Sequence, residues 1–226
     1  MKLAFQKFEN QLELKKGFIN ILRIEDKKLF ANCAQSMACG FAPDVLEPAT
    51  FYEGEKALKP KDCLYFVGDL LTLDLNDKKI IAAAIKKIIS MMVLEDELKQ
   101  KLECAALSIE EEYENQTMQL SADYVFANDW DDEIFLKAFG FRIDDADCKT
   151  LFDRLKMFFR IAADLFPQKV LAFVNLDTFL SDEQYDELKV IIAAEELIVF
   201  SYESGPKRAF TNFENGLFVD ADYLEE

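Results

Sequence analysis

The chain contains no histidine among its 226 residues. Without imidazole, a Ser-His-Asp or Cys-His nucleophile, a His-ligated zinc or haem and a histidine proton shuttle are excluded, which leaves carboxylates, lysines, tyrosines and thiols for acid–base work. Glycine (7) and proline (5) are scarce, so collagen-like and low-complexity designs are excluded. No apolar run reaches the roughly eighteen residues that span a bilayer. The opening stretch, MKLAFQKFENQLEL, holds no hydrophobic signal segment, so a cytoplasmic location and no membrane partner are expected. The five cysteines, Cys33, Cys39, Cys63, Cys104 and Cys148, are odd in number. The C-x5-C spacing of the closest pair fits neither a zinc ribbon nor a CxxC redox motif, and all five read as reduced, small apolar residues.

What is present is apolar and acidic. Hydrophobic residues make up 51% of the chain, with 21 Phe, enough for a large packed core. Lys and Arg number 26 against 43 Asp and Glu, a net charge of −17. A polyanion therefore meets repulsion unless positive charge is concentrated locally. Residues 110–153 carry 13 acidic and 3 basic residues, in two clusters: Glu110, Glu111, Glu112 and Glu114, then Asp129, Asp131, Asp132 and Glu133. Clustered hard oxygen donors suit calcium or magnesium, although Ile134 stands where an EF-hand loop needs glycine. A solvated acidic face is the alternative. Basic residues gather at Lys78, Lys79, Lys86 and Lys87, at Lys15 and Lys16, and at Lys207 and Arg208. Each group suits a solubilising surface, yet around a symmetric oligomer such groups would merge into a continuous positive face.

The apolar pattern predicts an α/β protein. Short strands are expected through Leu3–Phe5, Leu12–Leu14 and Phe18–Leu22, with a turn at Lys15-Lys16-Gly17, then a helix from Lys28 to Cys39 closed by Gly40. Proline and glycine between Phe41 and Lys61 read as loop, followed by a strand over Cys63–Val67. From Asn76 or Asp77, apolar residues recur at helical spacing from Ile81 to Tyr113, which predicts one helix of about ten turns. Helices at Leu120–Phe126 and Asp131–Phe139 would cover its stripe. A helix from Ala146 to Phe166 ends at Pro167. A β-α-β unit follows: strand Lys169–Asn175, helix Asp182–Ala194 with a capping box of Ser181 and Gln184, and strand Leu197–Phe200. Gly216–Asp220 closes the chain as an edge strand. The expected organisation is an α/β head from residues 1–75 and 147–226, with a helical leg inserted over residues 76–146.

Catalytic motifs fail. The strand ending at Val67 leads into Gly68-Asp69-Leu70-Leu71-Thr72, with one glycine and no lysine, and nothing matches a phosphate-binding loop. Asn175 with Asp177 beyond it resembles a Walker-B placement, or simply caps the next helix. Glu13-Leu14-Lys15 fits a nuclease triplet, but the same triplet recurs at Glu97-Leu98-Lys99 and Glu187-Leu188-Lys189 on predicted helices.

Three stretches carry a family likeness: Val67–Asn76 (VGDLLTLDLN), Leu171–Glu183 (LAFVNLDTFLSDE) and Glu196–Glu203 (ELIVFSYE). With the order of elements, they resemble the small accessory adaptation proteins of type II-A CRISPR systems, the Csn-two family. That resemblance implies a parallel-sheet α/β head like a degenerate P-loop ATPase fold and an inserted α-helical leg. It also implies a non-enzymatic role in antiviral defense: a ring-shaped homotetramer binding double-stranded DNA ends through a lysine-lined channel during spacer acquisition, beside the integrase pair and the RNA-guided effector nuclease. Calcium held by acidic residues is implied as the cofactor that stabilises the ring, with Asp129, Asp131, Asp132 and Glu133 as its candidate metal ligands. Lys78, Lys79, Lys207 and Arg208 are DNA-binding candidates on charge alone. Two other readings stay open: a degenerate nucleotide-binding or metal-dependent phosphohydrolase using Asp69, Asp74 and Asp177, and an acidic scaffold that binds only proteins.

Overall fold

The computed structural model describes all residues except 43, 93–95, 123, 125, 127–129 and 226. Contacts group the chain into two compact units, one of Met1–Leu75 with Asp145–Glu226 and one of Asn76–Asp144.

The larger unit opens with β1 (Lys2–Phe5), β2 (Leu12–Glu13), β3 (Phe18–Ile24) and α1 (Lys27–Ala38). In β3, Ile19, Ile21, Leu22 and Ile24 are all fully buried, each removing from water a side chain worth about 2 kcal/mol. Such a run, apolar on both faces, belongs inside a parallel sheet. The segment expected to be loop contains β4 (Ala49–Glu53), β5 (Lys56–Leu58) and the short helix α2 (Pro60–Cys63), followed by β6 (Leu64–Asp69). β4 and β5 pair antiparallel across Gly54, whose φ of 59° suits the turn. Pro48 and Pro60 flank these strands without interrupting them, so no ladder hydrogen bond is lost.

The smaller unit holds α3 (Lys78–Met92), α4 (Asp96–Thr117) and α5 (Asp132–Ala138). The single ten-turn helix is therefore corrected to two helices. Ile88 and Met92 of α3 and Leu102, Ala105 and Ile109 of α4 line one cavity of about 220 Å³. In a straight helix Ile88 and Ile109 would stand about 30 Å apart; the chain folds back, so both stripes face one interior. α5 packs on α3, with the Trp130, Phe135 and Phe139 rings in a row at 4.9 and 4.5 Å. No helix forms at Leu120–Phe126 among the described residues.

Returning to the larger unit, α6 (Leu151–Leu165) starts later than the expected Ala146, because Thr150 and Asp153 form a reciprocal capping box. β7 (Val170–Val174), α7 (Asp182–Ala194), β8 (Ile198–Ser204) and β9 (Glu214–Val219) complete the chain. The parallel sheet runs β6-β7-β8-β3-β9, and a second, antiparallel sheet runs β2-β1-β4-β5. Val170 and Ala172 of β7 join α1 and the second sheet in one core with Phe5, Phe51 and Tyr202. Phe173, alternate to them, meets Phe158 and Phe159 of α6 with ring centroids 6.0 and 5.7 Å away. α7 packs against both α6 and β3.

Candidate functional site

A parallel sheet binds phosphates where a strand hands over to the bare N-terminus of a helix. Here β3 reaches α1 through Glu25 and Asp26 alone. Asp26 Oδ1 accepts the Leu29 N–H at 2.7 Å, and the Glu25 N–H donates to Val219 O at 3.0 Å. At the end of β6, Asp69 Oδ1 accepts the Leu71 N–H at 2.7 Å. Carboxylates thus occupy the amides that a phosphate would need, and they repel it.

A polar cluster, largely buried, reaches from Arg23 and Glu203, near the C-terminal ends of β3 and β8, to Glu214 at the start of β9. Arg23 Nη2 of β3 donates to Asp177 Oδ2 at 2.7 Å. Ser201 Oγ donates to Glu203 Oε1 at 2.5 Å, and the Asp177 N–H approaches the same oxygen at 3.4 Å. Arg208 donates two hydrogen bonds to Glu214, at 2.9 and 3.1 Å, and its Nη2 is also 3.9 Å from Asp177 Oδ2. Burial pushes the Asp177 carboxyl up, but hydrogen bonds from Glu203 and Arg23 more than reverse this and leave it below the ordinary carboxylate value. Glu203 goes the other way: burial and then the neighbouring Asp177 charge hold it well above that value. Asp177, Tyr185, Lys189, Arg208 and Glu214 line a cavity of about 500 Å³ beside α7.

The basic face lies on α3. At about 100° per residue, Lys78, Lys79, Lys86 and Lys87 occupy one half of the helix, while Ile80, Ile81, Ile85 and Ile88 occupy the other. All four lysines are exposed. α3 contains no acidic residue, whereas α4 carries seven against two lysines. No ion pair to these four lysines is present among the described residues. Of the sequence-based DNA candidates, Lys78 and Lys79 thus join Lys86 and Lys87 on one surface. Lys207 is exposed on the loop after β8. Arg208 is committed to Glu214 inside the buried cluster and offers no free cation to a phosphate.

The acidic candidates have internal partners. Asp131 caps α5, accepting the Ile134 N–H at 2.8 Å; Asp132 Oδ1 accepts Trp130 Nε1–H at 2.8 Å; Glu133 pairs with Lys137 at 2.5 Å. Asp129 lies outside the described residues. Among the described residues no group of three or more acids or thiols is arranged to hold a metal ion. The phosphohydrolase trio fares similarly. Asp69 caps a 3-10 turn and Asp177 is tied to Arg23.

Sequence reasoning missed the Arg23–Asp177–Glu203 cluster, since its members lie up to 180 positions apart. The one available signal was a charged Arg inside the apolar run of β3.

Fold and charge distribution define a mixed α/β protein, built on a five-stranded parallel sheet, with a helical unit inserted in mid-chain. Residues 46–223 match the family model described as CRISPR-associated protein (Cas_Csn2), and the chain belongs to that family. A CRISPR-associated protein Csn2 from Enterococcus faecalis is 23% identical over 207 residues, covering 90% of each chain. Among solved structures, a putative ABC transporter ATP-binding protein from Pyrococcus furiosus aligns over 96% of this chain and 97% of its own. Its TM-score is 0.43 at 10% identity, a looser likeness. No helix among the described residues is long and apolar enough to cross a membrane.

Proposed function

We propose that this CRISPR-associated protein binds double-stranded DNA ends without reading their sequence, as a ring-shaped homotetramer acting in spacer acquisition. The observation that carries the DNA part is the α3 lysine face: four exposed cations on two and a half turns, opposite the apolar stripe, with no acid in the helix. Sequence-independent binding needs phosphate neutralisation and no base-reading element. In a chain of net charge −17, a local surface of this kind is what such binding requires. The assembly, the DNA ends, and a role beside the integrase pair and the RNA-guided effector nuclease follow from the family resemblance and are offered with it.

The reading is non-enzymatic. Capping of the β3–α1 and β6 junctions by Asp26 and Asp69 argues against nucleotide phosphate binding, and the arginine-bound Asp177 argues against a metal-dependent phosphohydrolase. The test combines size measurement with mobility shifts on linear and closed-circular duplexes at several salt concentrations. Preference for linear DNA and affinity falling steeply with salt are expected. Equal affinity for both forms overturns the end-binding reading, and nucleotide turnover in magnesium overturns the non-enzymatic one.

A further inference from the structure

The turn between β7 and α7 is fastened to β8 residue by residue. Asn175 is held in the left-handed region at φ 54°, and its N–H donates to Tyr202 O at 2.7 Å. Its Oδ1 accepts the Ser204 N–H at 3.0 Å. The Leu176 N–H donates to Ser201 Oγ at 3.3 Å, and the Asp177 N–H reaches Glu203 Oε1 at 3.4 Å. Glu203 is 1% exposed. Its Oε1 thus has two donors, while its Oε2 is buried and meets none.

Around Glu203 stand Arg23 on β3, Asp177 on the turn, Tyr185 on α7, Arg208 on the loop after β8 and Glu214 on β9. Three cations face three carboxylates, Arg23 with Asp177, Arg208 with Glu214 and Lys189 of α7 with Asp186, and the balance is closed without Glu203. Burial holds the Tyr185 phenol neutral, far above the ordinary range. A charged Glu203, itself cut off from water, would be a further, unmatched charge with a bare acceptor oxygen, which is strongly unfavourable.

We propose that Glu203 and Asp177 share one proton, resident on the Glu203 carboxyl, and that this pair is a pH-sensitive latch holding the β7–α7 turn onto β8. The proton stays on Glu203 after ordinary glutamates have lost theirs. When it leaves, two adjacent carboxylates repel and the donor to Asp177 is lost, so the turn and the start of α7 loosen. Because the folded state holds this proton more tightly than the unfolded chain, the latch is fully closed in acid and opens as pH rises through the Glu203 titration.

Infrared or carbon NMR on protein carrying ¹³C-labelled glutamate carboxyls tests the proton directly. One glutamic carboxyl is expected to stay protonated well above the ordinary value of about 4.3. That signal disappears in Glu203→Gln and moves toward the ordinary range in Asp177→Asn. Amide exchange at Leu176 and Asp177, corrected for intrinsic base catalysis, is expected to lose protection at high pH in the wild type but not in Glu203→Gln. Ordinary titration of every glutamate in the wild type overturns the shared proton. Protection that does not change with pH overturns the latch. Both readouts on the wild type decide even where a variant fails to fold.

Discussion

Half-buried Arg208 grips buried Glu214, six positions away in the chain, through two hydrogen bonds of 2.9 and 3.1 Å. Burial raises the Glu214 carboxyl, but Arg208 and then Thr211 overcome this and bring it below its ordinary 4.5. A depressed carboxylate contributes stability that is present at neutral pH and is lost as pH falls through the folded-state value. Arg208→Gln should therefore cost about 1–3 kcal/mol at neutral pH, with the deficit shrinking in acid, as read by urea unfolding at several pH values. Duplex affinity per folded subunit should not change. A variant as stable as the parent, or one selectively defective in DNA binding, contradicts the assignment.

The α3 face predicts a different pattern. Changing Lys78, Lys79, Lys86 and Lys87 to Gln should leave stability near the parent's, since all are exposed, while weakening DNA uniformly across sequences. The slope of log affinity against log salt should flatten by about 0.9 for each lysine that meets a phosphate. Fluorescence anisotropy over a salt series measures this. An unaltered slope removes α3 from the interface.

Gly216 answers to packing alone. A Cβ there would stand 2.6 Å from Ile21 O of the neighbouring strand and 2.5 Å from the Phe210 ring. The ring can swing aside but the backbone cannot, so Gly216→Ala should destabilise by about 1–3 kcal/mol in denaturant unfolding. An unchanged midpoint would show that β9 shifts freely.

The calcium expectation is checked through assembly. Asn still caps a helix, so Asp131→Asn with Asp132→Asn should fold normally. If calcium bridges subunits at these carboxylates, the double variant should dissociate where the parent does so only with chelator, as judged by light scattering. Identical mass for parent and variant under both conditions removes the metal from the assembly.

Local signals in the sequence were the most legible. Ser181 and Gln184 form both halves of the predicted capping box, at 3.3 and 3.0 Å, because a cap involves only four neighbouring residues. The apolar runs of β7 and β8 identify themselves as parallel strands for a similar reason. Hydrophobic period, by contrast, cannot register a reversal: the stripe from Ile81 to Tyr113 keeps its spacing through the break between α3 and α4, since both helices bury it in one interior. The β4–β5 hairpin was hidden by prolines that only border it. The buried cluster was least legible, because Arg23 and Asp177 lie 154 positions apart and their pairing depends on strand order within the sheet.

Asn76 and Ile143, 67 positions apart, exchange a pair of hydrogen bonds at 2.8 and 3.3 Å. The polypeptide therefore departs and comes back through a doorway the width of a single residue pair. Such a seam marks where genetic surgery would do least harm. Replacing everything between those two residues with a few glycines would yield a minimal body for biophysical work, and foreign helical cassettes of matching span could be spliced there to build chimaeras.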